Sequence, residues 1–232
     1  MFEIETRQPT NRVITQLLHN LADEGFVNII NDEDEEMSET TLHFELINVF
    51  FNTLKLFFKE RENVFVAANL RVTYDIENSL KWFAPDVLVA FGVEKRERRS
   101  YYLPHEKVMP QVVFEVASEK TVDVDLGKKY AEYSRLGVEE YYLLDPERTF
   151  LPVPFMAFQL QNGKLSPASI SDTRIFSPRL ELEIVDTNET FRLFDPKTNE
   201  FLLSPQELAI QNYELKARIA ELEASFTNGN KK

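Results

Sequence analysis

APDVLVAF at residues 84–91, QVVFEVAS at 111–118, DVDLGKKYAEYSRLG at 123–137 and VEEYYLLDP at 138–146 read as strand, strand, helix and strand, with a long loop after the first. In the first strand Asp86 follows Pro85, which holds the preceding residue in extended geometry, and stands where the apolar run begins. The second strand is apolar on both faces, as a central strand of a sheet should be. Its one acid, Glu115, is therefore costly unless something pairs with it. The helix opens with acids in its first turn and closes at Gly137, in accord with the macrodipole and with a left-handed C-cap. Lys129, Tyr133 and Leu136 share one of its faces. The third strand ends at Asp145-Pro146, a turn signal.

An acid at a strand start, a second acid in the middle of the next strand and a lysine close by form the arrangement that a divalent-metal phosphodiesterase needs. Two carboxylates, Asp86 and Glu115, would hold Mg²⁺ or Mn²⁺, and the lysine would steady the attacking water or the developing charge. Each feature also has a plainer reading. Asp86 could cap a strand start, Glu115 could form a buried ion pair with Lys129, and Asp125 with Lys129 could be an ordinary helix pair.

Pro85-Asp86, then Phe114-Glu115-Val116-Ala117-Ser118, then Asp125 with Lys129 and Tyr133, and the run 137–146 together resemble the Uma-two family, catalogued as restriction endonucleases and formerly as a domain of unknown function. That family belongs to the PD-(D/E)XK nuclease superfamily. The resemblance covers residues 43–203 and implies a restriction-endonuclease-like α/β fold. This is a mixed central sheet flanked by helices, here with a β-rich extension and a C-terminal helix. It also implies a Mg²⁺- or Mn²⁺-dependent endonuclease acting on DNA, with Asp86, Glu115 and Lys129 as the catalytic set. In the parent superfamily the lysine lies two residues beyond the acid, where this chain has Ala117. The resemblance thus implies a lysine that has migrated to the following helix, at Lys129. Lys128 is turned away from it by about 100° and would at most contact phosphate.

The chain has 232 residues, 43% of them hydrophobic, enough for one α/β domain with an appendage. Without a single cysteine, disulfides, thiolate metal sites and cysteine nucleophiles are excluded, which suits a reducing, cytoplasmic setting. No apolar run approaches the roughly 20 residues of a membrane helix, so no membrane partner is expected. Six glycines and the lack of a phosphate-binding loop exclude kinase and dehydrogenase chemistry. The formal net charge of −13 opposes casual nucleic-acid binding, although acids and bases nearly balance between residues 81 and 135. That charge supports an alternative: a catalytically inactive nuclease-like module used for binding or assembly.

Elsewhere, residues 11–24 have helical apolar spacing, residues 26–30 could form a short strand, and 32–36 is a run of five acids that reads as a solvated loop. Ser38 or Thr40 can cap a core helix bearing Leu42, Leu46, Val49, Phe50, Leu54, Phe57 and Phe58. His43 and Glu45, on its first turns, are auxiliary site candidates. Residues 63–74 read as one strand. The loop after Phe91 carries Arg96, Arg98 and Arg99, either as phosphate contacts beside the site or as a solvated hairpin tip. Residues 155–160, 180–185 and 190–193 are strand-like and read as an extension of the sheet.

The domain ends at 203. Residues 204–232 form a helix and a disordered tail, opening on the capping box Ser204-Pro205-Gln206-Glu207. Leu208, Asn212, Leu215, Ile219, Leu222 and Phe226 then recur at alternating four- and three-residue steps, a coiled-coil seam that predicts a homo-oligomer, the plainer reading being a single helix folded back on the body.

Overall fold

The computed structural model describes residues 40–75, 81–171 and 173–229. The expected helix at 11–24, the strand at 26–30 and the acidic run at 32–36 lie outside the described residues.

Helix α1 (Thr41–Phe57) starts at Thr40, whose side chain accepts from the His43 N–H. It buries Leu46, Ile47, Phe50 and Leu54, while Leu42, expected on the apolar face, is exposed. The 63–74 run is not one strand. Asn69 takes a left-handed conformation (φ 49°) and divides it into β1 (Val64–Ala68) and β2 (Val72–Thr73). Strands β3 (Trp82–Phe83) and β5 (Tyr101–Tyr102) flank β2 in a small sheet.

Strands β1, β4 (Val87–Phe91), β6 (Val112–Val116), β7 (Glu140–Leu144), β8 (Phe155–Gln161) and β9 (Lys164–Pro167) form the main sheet in that order. It is mixed: β4 and β6 are antiparallel, and β6 and β7 are parallel. A parallel pair needs a crossover, and the helical segment 122–136 supplies it. The short helix α2 (Leu103–Glu106) interrupts the long loop before β6.

Alternation along the central strands sends Val112, Phe114 and Val116 to one face, with α1, and Val113 and Ala117 to the other, with Leu126 and Tyr133 of the crossover. After β9 the chain leaves the main sheet. Strands β10 (Arg174–Ser177), β11 (Leu182–Asp186), β12 (Phe191–Asp195) and β13 (Glu200–Phe201) make a separate antiparallel sheet, so of the three expected segments only 155–160, in β8, extends the main sheet. Leu182, Ile184 and Leu193 of this second sheet share a core with α1 and with Tyr142.

Candidate active site

The crossover is not a uniform helix. It runs as α3 (Val122–Val124), a π-helical turn at Asp125–Lys129 and α4 (Tyr130–Leu136), closed by Gly137 at φ 83°. π-turns inside helices recur at functional sites because the extra residue re-aims its neighbours. Here the wide turn lies between Asp125 and Lys129. The Tyr141 hydroxyl steadies it by donating to the Asp125 carbonyl oxygen at 3.1 Å.

Asp86 immediately precedes β4, and continuing the register of Val87 with Phe114 sets it opposite Glu115. The two are stitched reciprocally. The Asp86 N–H donates to Glu115 Oε2 at 3.2 Å, and the Val116 N–H donates to Asp86 Oδ2 at 2.7 Å. His43 reaches the same point from α1: its Nε2 lies 2.9 Å from the Val116 carbonyl oxygen and 3.6 Å from Asp86 Oδ2. Both neighbours are acceptors, so Nε2 carries the proton.

Glu115 has no exposed surface. The Tyr133 hydroxyl donates to its Oε1 in a short hydrogen bond, and Lys129 Nζ lies 3.0 Å from its Oε2. The same ammonium is 2.8 Å from Asp125 Oδ1. Asp125, Lys129 and Tyr133 thus form a ladder at intervals of four residues that faces the end of β6.

Burial pushes Glu115 well above the ordinary carboxylate range, and Asp86 and Asp125 add to this while Lys129 opposes it. Burial also raises Asp125, against the pull of Lys129. For Asp86, burial is outweighed by the nearby His43 imidazole, the Lys129 charge and the Val116 N–H, and its carboxyl falls below the ordinary range. Burial works against the Lys129 charge, yet Asp125, Glu115 and Asp86 together push its ammonium above the usual lysine value. It stays protonated at neutral pH.

Two carboxylates, Glu115 and Asp125, hold the lysine and a third, Asp86, lies beside Glu115; an all-oxygen donor set of this kind suits a hard divalent cation. Asp125 Oδ2 is buried without a hydrogen-bond partner among the described residues, an acceptor that a cation would satisfy. Among the described residues no three His, Asp or Glu side chains form a ready-made metal cage. The Lys129 ammonium instead bridges Glu115 and Asp125. The Asp86 and Lys129 side chains keep 14% and 20% of their surface exposed, so the cluster is open to solvent on their side.

The structure thus brings Asp86, Glu115, Lys129 and His43 together and leaves the other candidates out. Glu45, two residues from His43 and therefore on the opposite side of α1, is exposed. Lys128 is exposed on the π-turn. The arginine loop leaves β4 at Phe91, the end away from Asp86, about 16 Å along the strand at ~3.3 Å per residue. Arg98 there is turned inward. Its side chain is 1% exposed, pairs with Glu106 at 2.9 Å and lies over the Phe65 ring. Arg96 binds the same Glu106 at 2.6 Å, and Arg99 is exposed. A cavity of about 550 Å³ lies along the β1 edge, and none of Asp86, Glu115 and Asp125 lines it.

Sequence reasoning assigned no metal or positioning role to Asp125 or Tyr133, although their four-residue spacing from Lys129 was the signal. Tyr141 gave no such signal, because it enters through strand pairing.

Residues 15–191 match the family model described as "Uma2: Putative restriction endonuclease". No curated protein matches the chain. Among solved structures, one described as the crystal structure of a putative nuclease belonging to DUF820 from Anabaena variabilis ATCC 29413 is similar, at 13% identity and a TM-score of 0.48, covering 65% of this chain and 80% of that one.

Proposed function

The chain belongs to the Uma2 family, and on that premise we propose that it is a metal-dependent endonuclease that hydrolyses phosphodiester bonds in DNA. The observation that carries this reading is the pairing of Asp86 with Glu115 where β4 starts and β6 ends, with the Lys129 ammonium held between Glu115 and Asp125.

Asp86 and Glu115, with Asp125 beside them, would hold Mg²⁺ or Mn²⁺. Bound there, the cation would polarise a phosphoryl oxygen and acidify the attacking water. The remaining work falls to the chain's own groups. The Val116 N–H fixes Asp86 Oδ2, and the Tyr133 hydroxyl fixes Glu115 Oε1, so both carboxylates are aimed before anything binds. Lys129, kept cationic by its acidic neighbours, presents positive charge to the phosphate as negative charge builds.

The test is an assay on single-stranded, duplex and branched DNA with Mg²⁺ and with Mn²⁺, beside a thermal melt. Cleavage of at least one form is expected, together with a rise in Tm on adding Mn²⁺. Asp86→Asn and Glu115→Gln should each remove both effects. If no DNA is cut and Mn²⁺ leaves Tm unchanged, the nuclease reading fails and a binding or assembly module takes its place.

A further inference from the structure

Helix α5 (Pro205–Gly229) begins with the capping box formed in full: the Ser204 N–H donates to Glu207 Oε2 at 2.7 Å and the Glu207 N–H to Ser204 Oγ at 3.2 Å. Arg192 of β12 holds Glu207 at 2.9 Å, so the first turn is tied to the body. Beyond that turn the helix stands in solvent. Leu215, Ile219 and Leu222 are 55%, 55% and 44% exposed on one stripe, apolar surface that a helix of about 37 Å does not leave in water without a partner to cover it.

The residue types along the stripe specify the partner. With Leu208, Leu215 and Leu222 at d positions, the a positions are Asn212, Ile219 and Phe226. Leucine at d with a β-branched residue at a favours two strands, and a lone asparagine at a is satisfied when it faces its own copy across a parallel, in-register pair. Within its own helix the amide makes one hydrogen bond, from Nδ2 to the Leu208 carbonyl oxygen at 2.8 Å, and an antiparallel pair would set its Oδ1 against an apolar residue without a donor. The flanking charges agree. Arg218 occupies a g position and Glu223 the e position five residues on, the pair that meets between parallel strands, and Arg218 is 69% exposed beside Glu221 of its own helix.

We propose that α5 forms a parallel, in-register, two-stranded coiled coil with α5 of a second copy of this chain. The interface joins the two bodies at the ends of β12 and β13, and it does not depend on the catalytic reading.

Light scattering or sedimentation of the full chain at about 100 µM should give twice the chain mass of 27.1 kDa. Leu215→Asp and Ile219→Asp should each return it to monomer, with the melting of the body unchanged. Arg218→Glu sets like charges across the seam twice and should weaken the dimer by about tenfold. Combining it with Glu223→Arg should restore wild-type affinity, and Tyr213→Ser, off the seam, should change nothing. Leu222→Cys introduces the only thiol of the chain, and a mild oxidant should lock that variant into a covalent dimer. Monomeric wild type at that concentration overturns the proposal. So does a dimer that survives the aspartate substitutions, or one that Leu222→Cys does not lock.

Discussion

At the scale of single residues, the chemistry of this chain turns on which of two adjacent lysines faces the acids. Lys129 lies 3.0 Å from Glu115 and 2.8 Å from Asp125, while Lys128, one position earlier, is exposed. Under the proposed function, Lys129→Ala removes the cation that meets the developing phosphate charge, and kcat should fall by about 10²–10³-fold. Mn²⁺ binding should survive, since no ligand is lost. Lys128→Ala should leave kcat within about threefold, because it removes one solvent-exposed charge. Single-turnover cleavage beside a Mn²⁺-dependent melt separates the two effects. A Lys129→Ala enzyme that cuts at the wild-type rate would exclude the migrated lysine. The spacing of Asp125, Lys129 and Tyr133 was legible in the sequence. The reciprocal bonds between Asp86 and the Glu115-Val116 segment were not, because they arise from pairing across 29 and 30 residues of chain.

At the scale of elements, the loop between β4 and β6 shows how composition can mislead. Four cationic side chains within residues 95–99 suggest a phosphate-binding surface, yet the structure uses most of them internally. Lys95 Nζ donates to the carbonyl oxygens of Phe58 and Lys59 at 2.9 and 2.6 Å, closing the C-terminus of α1. Arg98 stacks on Phe65, lies near the Tyr101 ring and pairs with Glu106, so its guanidinium pins the loop to the β1 edge and to β5. Arg98→Ala should cost about 2 kcal/mol, because it removes the stacked surface and leaves Glu106 with Arg96 as its one remaining cationic partner. It should leave DNA affinity unchanged. Urea denaturation and a fluorescence binding titration test both halves of this, and a variant of wild-type stability that binds DNA poorly would return Arg98 to the phosphate-contact role.

At the scale of the whole molecule, the second sheet is joined to the first through a buried acid. Glu140 on β7 accepts from the Tyr142 hydroxyl at 3.0 Å, from the Arg179 N–H at 2.9 Å and from Ser177 Oγ at the end of β10. Burial holds its carboxyl above the ordinary range, and the hydrogen bonds from Ser177, Arg179 and Tyr142 only partly offset this. For a carboxyl raised by folding, the native state binds more protons than the unfolded chain. The stability it lends is complete below the unfolded value near 4.5 and is lost as pH rises through the folded value. Glu140→Gln removes that titration. The stability of the wild type relative to this variant should therefore decline from about pH 4 towards neutrality, with a slope no steeper than ~1.4 kcal/mol for each step of one in pH. Glu140→Ala, which removes the acceptor of three donors, should cost about 3 kcal/mol near pH 4 and progressively less as pH rises, in parallel with Glu140→Gln. Denaturation curves across the pH range decide it, and a constant difference between wild type and Glu140→Gln would show that Glu140 does not titrate with folding.

Local order was written in the sequence. Periodicity and capping chemistry specify α1 and the strands around Asp86 and Glu115, Gly137 as the end of the crossover helix, and Ser204 to Glu207 as the start of α5, because each depends on neighbours within a few residues. The two acids and the lysine were readable for the same reason: an acid within an apolar run stands out wherever the run folds. Only the tertiary structure decided that Asp86 falls opposite Glu115 and that His43 faces inward while Glu45 does not. It alone decided that the residues after β9 build a second sheet and that Arg98 is held inside. Those outcomes depend on strand register and on the balance of burial against charge, both set by contacts between residues far apart in the chain.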